Sequence, residues 1–215
     1  MLRKWVDSVL MGGVFRIGTL YEYRCYEHKE IGDEFEGTKQ FILPMDLSRR
    51  REAVAQILSS RPYLVDSTLA NNYGEPLETV LKEYIPTGIE EHSPDCYVFC
   101  LTSVFDKTVM QQFGYDACIE ISKPEQFLTT LSKSMNRFAK FAGLRTCQYG
   151  ERTFDYDSSN LIAPQILKPA ALQHQREVRL VWDPRGPKQE LPYASALKPI
   201  FIKQNSARRY CRRII

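Results

Sequence analysis

The chain has 215 residues, 43% of them hydrophobic and 26% charged, with a net charge of +3; this suits one globular domain with a substantial core. No run approaches the ~20 apolar residues of a membrane span, and Asp7 and Ser8 interrupt the apolar stretch of MLRKWVDSVLMGG, which argues against a secretory leader. Six cysteines without a CxxC pair and three scattered histidines offer no zinc spacing. The expectation is therefore a single domain over 1–215, cytoplasmic, with free thiols, no structural metal and no membrane contact.

In chain order, apolar positions at helical spacing predict a helix over 2–10, stopped by Gly12-Gly13. VFRIGTLYEY (14–23) reads as a strand turning at Gly18, followed by an acidic, turn-rich stretch and the short apolar piece FILPM. Asp46 is placed to cap a helix over 47–60, broken at Arg61-Pro62, with the basic run Arg49–Arg51 on its solvated face. A further short helix is expected near 76–84. CYVFCLTS (96–103) and YDACIEIS (115–122) are β-rich, joined by a short helix or loop closed at Gly114. Pro124 opens the most regular helical pattern, with Phe127, Leu131, Met135 and Phe138 on one face and Gly143 as its stop. LRTCQYGERTF, NLIAPQIL, EVRLVWD and KPIFIKQ read as strands. Helices early and strands late imply an α+β fold, with helices packed on mostly antiparallel sheets.

No phosphate-cradling glycine loop, HExxH or GxSxG occurs, so any active site is assembled from single residues on separate elements. Charge is uneven: after Glu190 no acid follows, while Lys198, Lys203, Arg208, Arg209, Arg212 and Arg213 do. A basic C-terminal tail over about 198–215 could collect a polyanion such as RNA, or dock an acidic partner.

Three segments stand out in this order: VFRIG with Arg16 and Gly18, FCLTS with Thr102 and Ser103, and HQREVRLVW with Gln175 and Glu177. Together they resemble the arginine–serine–glutamate class of ADP-ribosyltransferases. That resemblance implies a split two-sheet β core flanked by helices, with NAD⁺ as the ADP-ribose donor and no metal. It implies that Glu177 is the catalytic carboxylate, steadying positive charge on a ribose as carboxylates do in glycoside cleavage. Arg16, Gly18, Thr102, Ser103 and Tyr23 would hold NAD⁺, an arginine fork being suited to phosphate oxygens. Gln175 would face the acceptor, joined by Tyr21, Arg208 and Arg209; a glutamine there favours an amide or nucleobase over arginine as acceptor.

A broader resemblance joins FRIGTLYEYR with IGDEFEGT, VMQQFGYDACIEIS and QREVRLVW. These are similar to a large family of bacterial domains, some found in phage-defence and toxin–antitoxin settings. It implies an mRNA-modifying toxin restrained by an antitoxin and a chaperone. The pattern departs at two positions: Leu101 replaces the first serine of the central triplet, and Gln111 stands where a tryptophan follows the methionine. Bland alternatives stay open beside this reading. Arg16 could pair with an acid such as Glu120, Tyr21 and Tyr23 could pack under the following loop, and Glu177 could be a solvated strand-edge charge. The alternatives for the whole chain are transfer to a protein target and a non-catalytic interaction domain.

Overall fold

Helix α1 (Arg3–Gly12) opens the chain in the computed structural model, which describes residues 1–25, 32–60, 88–157, 162–185 and 197–215. Gly13 ends it in the left-handed conformation, φ 63°, with its N–H directed at the Ser8 and Val9 carbonyls, the geometry glycine favours after a helix. Strand β1 (Val14–Thr19) follows directly, then a 3-10 turn over Tyr21–Cys25. Next come β2 (Thr38–Ile42) and α2 (Leu47–Ser60). Asp46 caps α2 by accepting from the Arg49 N–H at 2.9 Å. Arg49 and Arg51 are exposed, but Arg50 turns inward and donates to the Pro44 and Met45 carbonyls. After β3 (Gly88–His92) and β4 (Tyr97–Thr102), Asp106 caps the short helix α3 (Lys107–Gln112), with Gly114 at φ 67° beyond it.

Strand β5 (Ile119–Ile121) leads into α4 (Pro124–Met135), which buries Phe127, Leu131 and Met135 on one face. The chain then runs through β6 (Ala139–Thr146), β7 (Gln148–Tyr149), β8 (Thr153–Asp155), β9 (Leu167–Lys168) and a 3-10 turn over Ala170–Gln175. It closes with β10 (Glu177–Pro184), β11 (Ile200–Lys203), α5 (Asn205–Arg208) and β12 (Cys211–Arg213).

The fold is α+β. Its main sheet has the order β11-β1-β4-β10-β6, with each pair antiparallel. A mixed sheet, β3-β2-β8, and two short ladders, β12-β5 and β7-β9, complete it. Period-two alternation divides the main sheet into two faces. Phe15, Ile17, Tyr97, Leu180 and Trp182 point toward α1 and α4, packing with Val9, Phe127, Leu131 and Met135. Val98 and Val181 point the other way, with Leu20, Tyr21 and Cys96. That second face also carries the odd-numbered positions of the start of β10, Glu177 and Arg179.

Two sequence expectations are corrected. The helix from Pro124 ends at Met135 rather than Gly143; 139–146 instead pair with β10, and Phe138 leaves the helix face. Gly143, at φ 142°, lies inside that strand beside a register shift between Val181 and Trp182. NLIAPQIL is not a strand as a whole: Pro164–Ile166 form a 3-10 turn ahead of two-residue β9. The helix expected at 76–84 and the break at Arg61-Pro62 lie outside the described residues. No helix among the described residues is long and apolar enough to cross a membrane.

Candidate functional site

The main sheet parts along one seam. β1 and β4 pair only through Gly18↔Val98 and Thr19↔Tyr97. Beyond those pairs β1 continues with β11 and β4 continues with β10. A cavity of about 560 Å³ occupies the split, bounded by Phe15 and Arg16 on one side and Phe99–Thr102 on the other. Its volume falls within the range of small-molecule and cofactor sites. One end is apolar, with Trp5, Val9 and Phe127; the segment between β4 and β5 adds Phe105, Met110 and Phe113. The opposite end is charged.

That charged end is a closed network built on β10. The Glu177 carboxylate accepts from Arg179 Nε at 2.6 Å through one oxygen and from Lys168 Nζ at 2.6 Å through the other. Arg179 also donates to Glu36 at 2.7 and 3.1 Å and to the Gln165 carbonyl at 2.6 Å. Lys168 donates in addition to Gln175 Oε1 at 3.1 Å. The Glu177 N–H donates to the Tyr149 hydroxyl at 2.7 Å, fixing the start of the strand. All four charged side chains are buried. Two cations and two carboxylates compensate one another, as buried charges require.

Burial alone would push the Glu177 carboxyl up; the charges of Arg179 and Lys168, and hydrogen bonds from both, outweigh it and bring it to about 2. Glu177 is thus a fixed anion at neutral pH and cannot act there as a proton donor. Burial, then the Glu177 charge, push the adjacent Cys100 thiol well up, so this sulfur is protonated rather than a thiolate nucleophile. The Tyr23 phenol, beside Cys100, is raised by burial as well.

Of the residues singled out from sequence, Arg16, Tyr23, Thr102, Gln175 and Glu177 all reach the cavity wall. Thr102 lies directly across the ladder from Glu177, and its hydroxyl is 2.9 Å from the Gln175 carbonyl. Arg16 pairs with Glu22, not with Glu120, which pairs with Arg212. Gly18 is not on the wall. A Cβ there would approach Glu22 Oε2 and the Tyr23 hydroxyl to 3.1 Å, so the glycine leaves room for the Arg16–Glu22 pair. Ser103 is likewise off the wall; its N–H and hydroxyl both bond the Arg176 carbonyl.

The structure does not bring Tyr21, Arg208 or Arg209 to the cavity. Tyr21 is buried, donates to the Ser93 carbonyl at 2.7 Å and has Arg24 stacked 3.7 Å over its ring. Arg208 bonds the Met11 carbonyl at 2.6 Å, and Arg209 is exposed elsewhere. The basic terminus is not a free tail. It is woven into β11, α5 and β12, with Arg212 paired to Glu120 and Arg213 to Asp7.

Sequence reasoning missed Lys168, Arg179 and Glu36. Arg179 was within reach, because two residues beyond Glu177 on a strand shares its face. Compared with protein-family models, curated proteins and solved structures, the chain finds no match among any of the three, so a functional reading stands on the sequence motifs and this geometry.

Proposed function

We propose that the chain is an NAD⁺-dependent mono-ADP-ribosyltransferase, with NAD⁺ seated in the split between β1 and β4 and Glu177 beside its nicotinamide ribose. The observation that carries the reading is convergence. Three motifs far apart in sequence occupy three neighbouring strands or their ends, and Arg16, Thr102, Gln175 and Glu177 line one cavity.

The electrostatics fit the same chemistry. Nicotinamide leaves from a ring nitrogen that is already cationic, taking the bonding electron pair, so departure needs no proton. Positive charge then develops on the ribose. An obligate carboxylate stabilises that charge, whereas a glycosidase acid would need a raised pKa. Glu177, held near 2, matches the first requirement and fails the second. The aromatic side chains along the cavity, Tyr23 and Phe99 among them, supply faces for planar rings.

The acceptor is proposed to be RNA, with Gln175 facing it, and the setting a cytoplasmic anti-phage toxin held by an antitoxin and a chaperone. These finer points follow from the sequence resemblance. A second reading, a binding domain without turnover, is favoured by one observation: both Glu177 oxygens already carry cation partners. Incubation with adenylate-labelled NAD⁺, total RNA and cell lysate separates the readings. Label in RNA is expected, label in protein would move the acceptor, and absence of any label would leave the binding domain.

A further inference from the structure

We infer that Arg176 is the residue that holds the anionic group of the cavity's ligand, the pyrophosphate of a bound nucleotide, an inference that rests on the nucleotide reading above. Among the described residues it is the sole non-glycine with positive φ, at 44°. Side chains other than those of Gly, Asn and Asp rarely adopt this region. The position is the left-handed cap of the 3-10 turn before β10, where glycine is the ordinary occupant. Arginine stands there instead, between Gln175 and Glu177, an exposed residue that lines the cavity.

Its backbone is clamped rather than loose. The Arg176 carbonyl accepts from the Ser103 N–H at 3.1 Å and the Ser103 hydroxyl at 3.3 Å, and its N–H donates to the Gln173 carbonyl at 3.2 Å. Ser103 therefore serves the cavity indirectly, by fixing where Arg176 starts.

The other strong cations on the wall are already matched. Arg16 pairs with Glu22, Lys168 with Glu177, and Arg179 with Glu36 and Glu177. The Arg176 guanidinium makes no hydrogen bond or ion pair with the described residues. Asp106 lies on the same wall, but its carboxylate accepts from the Thr108 and Val109 N–H groups at 2.8 and 3.3 Å, capping α3. His174 is there too, its Nδ1 3.0 Å from the Ala171 carbonyl. An exposed arginine with its guanidinium donors available, lining a cavity whose other arginines are neutralised, is equipped to grip a phosphate bidentately.

The test is titration calorimetry with inorganic pyrophosphate and with ADP-ribose, on wild type, Arg176→Gly and Arg176→Lys, alongside thermal melts. Arg176→Gly relieves the left-handed backbone, so its melting temperature should hold or rise. Its affinity for both probes should nevertheless fall about 10- to 100-fold, the worth of hydrogen bonds to a charged group. Arg176→Lys should fall between. If wild type binds ADP-ribose and Arg176→Gly binds it equally well, Arg176 has no such role and the nucleotide reading survives. If pyrophosphate binds through Arg176 but ADP-ribose does not bind, the anion site stands and the nucleotide reading falls. If wild type binds neither probe, both are overturned.

Discussion

Glu177 shows how little room a buried charge leaves for substitution. Its side chain is 9% exposed and its partners Lys168 and Arg179 are 4% and 1% exposed, so deleting its charge strands a buried cation. Breaking such a pair costs about 3–5 kcal/mol, and Glu177→Gln should lose stability of that order in urea unfolding. Glu177→Gln/Lys168→Met, which removes the carboxylate and one of its two cations while Arg179 keeps Glu36, should recover most of it, and both variants should lose NAD⁺ turnover by about 10²-fold or more. A single variant whose stability equals wild type would show the network to be dispensable. The same group sets a pH dependence. Its folded pKa, about 2, lies below the ordinary 4.5, so the native state binds fewer protons than the unfolded chain. The stabilisation is complete above about 4.5 and drains away as pH falls toward 2. Unfolding midpoints of wild type and Glu177→Gln should therefore converge over that interval; a constant gap would contradict the assignment. At this scale the sequence was legible where a short motif named the residue, as for Glu177 and Gln175. It was silent for Glu36, brought to Arg179 across 143 positions by topology alone.

The elements that place the site were legible unevenly. α1, β1, β4 and β10 were recognisable because apolar spacing and glycine punctuation agree with the final packing. Residues 139–143 were misread, since FAKFAG prolongs helical spacing, and β10 captures them, with the strand expected from Leu144, as an edge strand of the main sheet. The split between β1 and β4 had no local signal, because pairing register is a tertiary property. The junction between α1 and β1 can be tested directly. Gly13 has φ 63°, and a Cβ there would lie 2.6 Å from Asn205 Oδ1 and 3.2 Å from Asn205 Cα. Gly13 also accepts the Gln204 N–H at 2.7 Å, tying β1 to the turn before α5. Gly13→Ala should cost about 1–2 kcal/mol from the left-handed backbone and lower the melting temperature by about 2–8 °C. An unchanged melt would mean that α1 and α5 separate without consequence.

Across the whole molecule, the C-terminal segment completes the structure around the cavity instead of trailing from it. β11 pairs with β1, and β12 pairs with β5; Cys211 and Ile121 both reach the cavity wall. Three of the four terminal arginines thereby acquire protein partners, so a polyanion meets a folded basic surface whose charges are partly answered. The charge asymmetry was plain in sequence, but the partners that answer it, Asp7, Glu120 and the Met11 carbonyl, lie at the other end of the chain or in its middle. The split sheet, the convergent motifs and the fixed Glu177 anion together support the central proposal, that this cavity breaks the nicotinamide–ribose bond of NAD⁺. The most direct test is the rate of nicotinamide release from NAD⁺ by wild type and by folded Glu177→Gln/Lys168→Met. Release by wild type and a loss on the order of 10²-fold or more in the variant is the predicted result. No release by wild type in the presence of RNA and lysate, or equal release by both proteins, would contradict it.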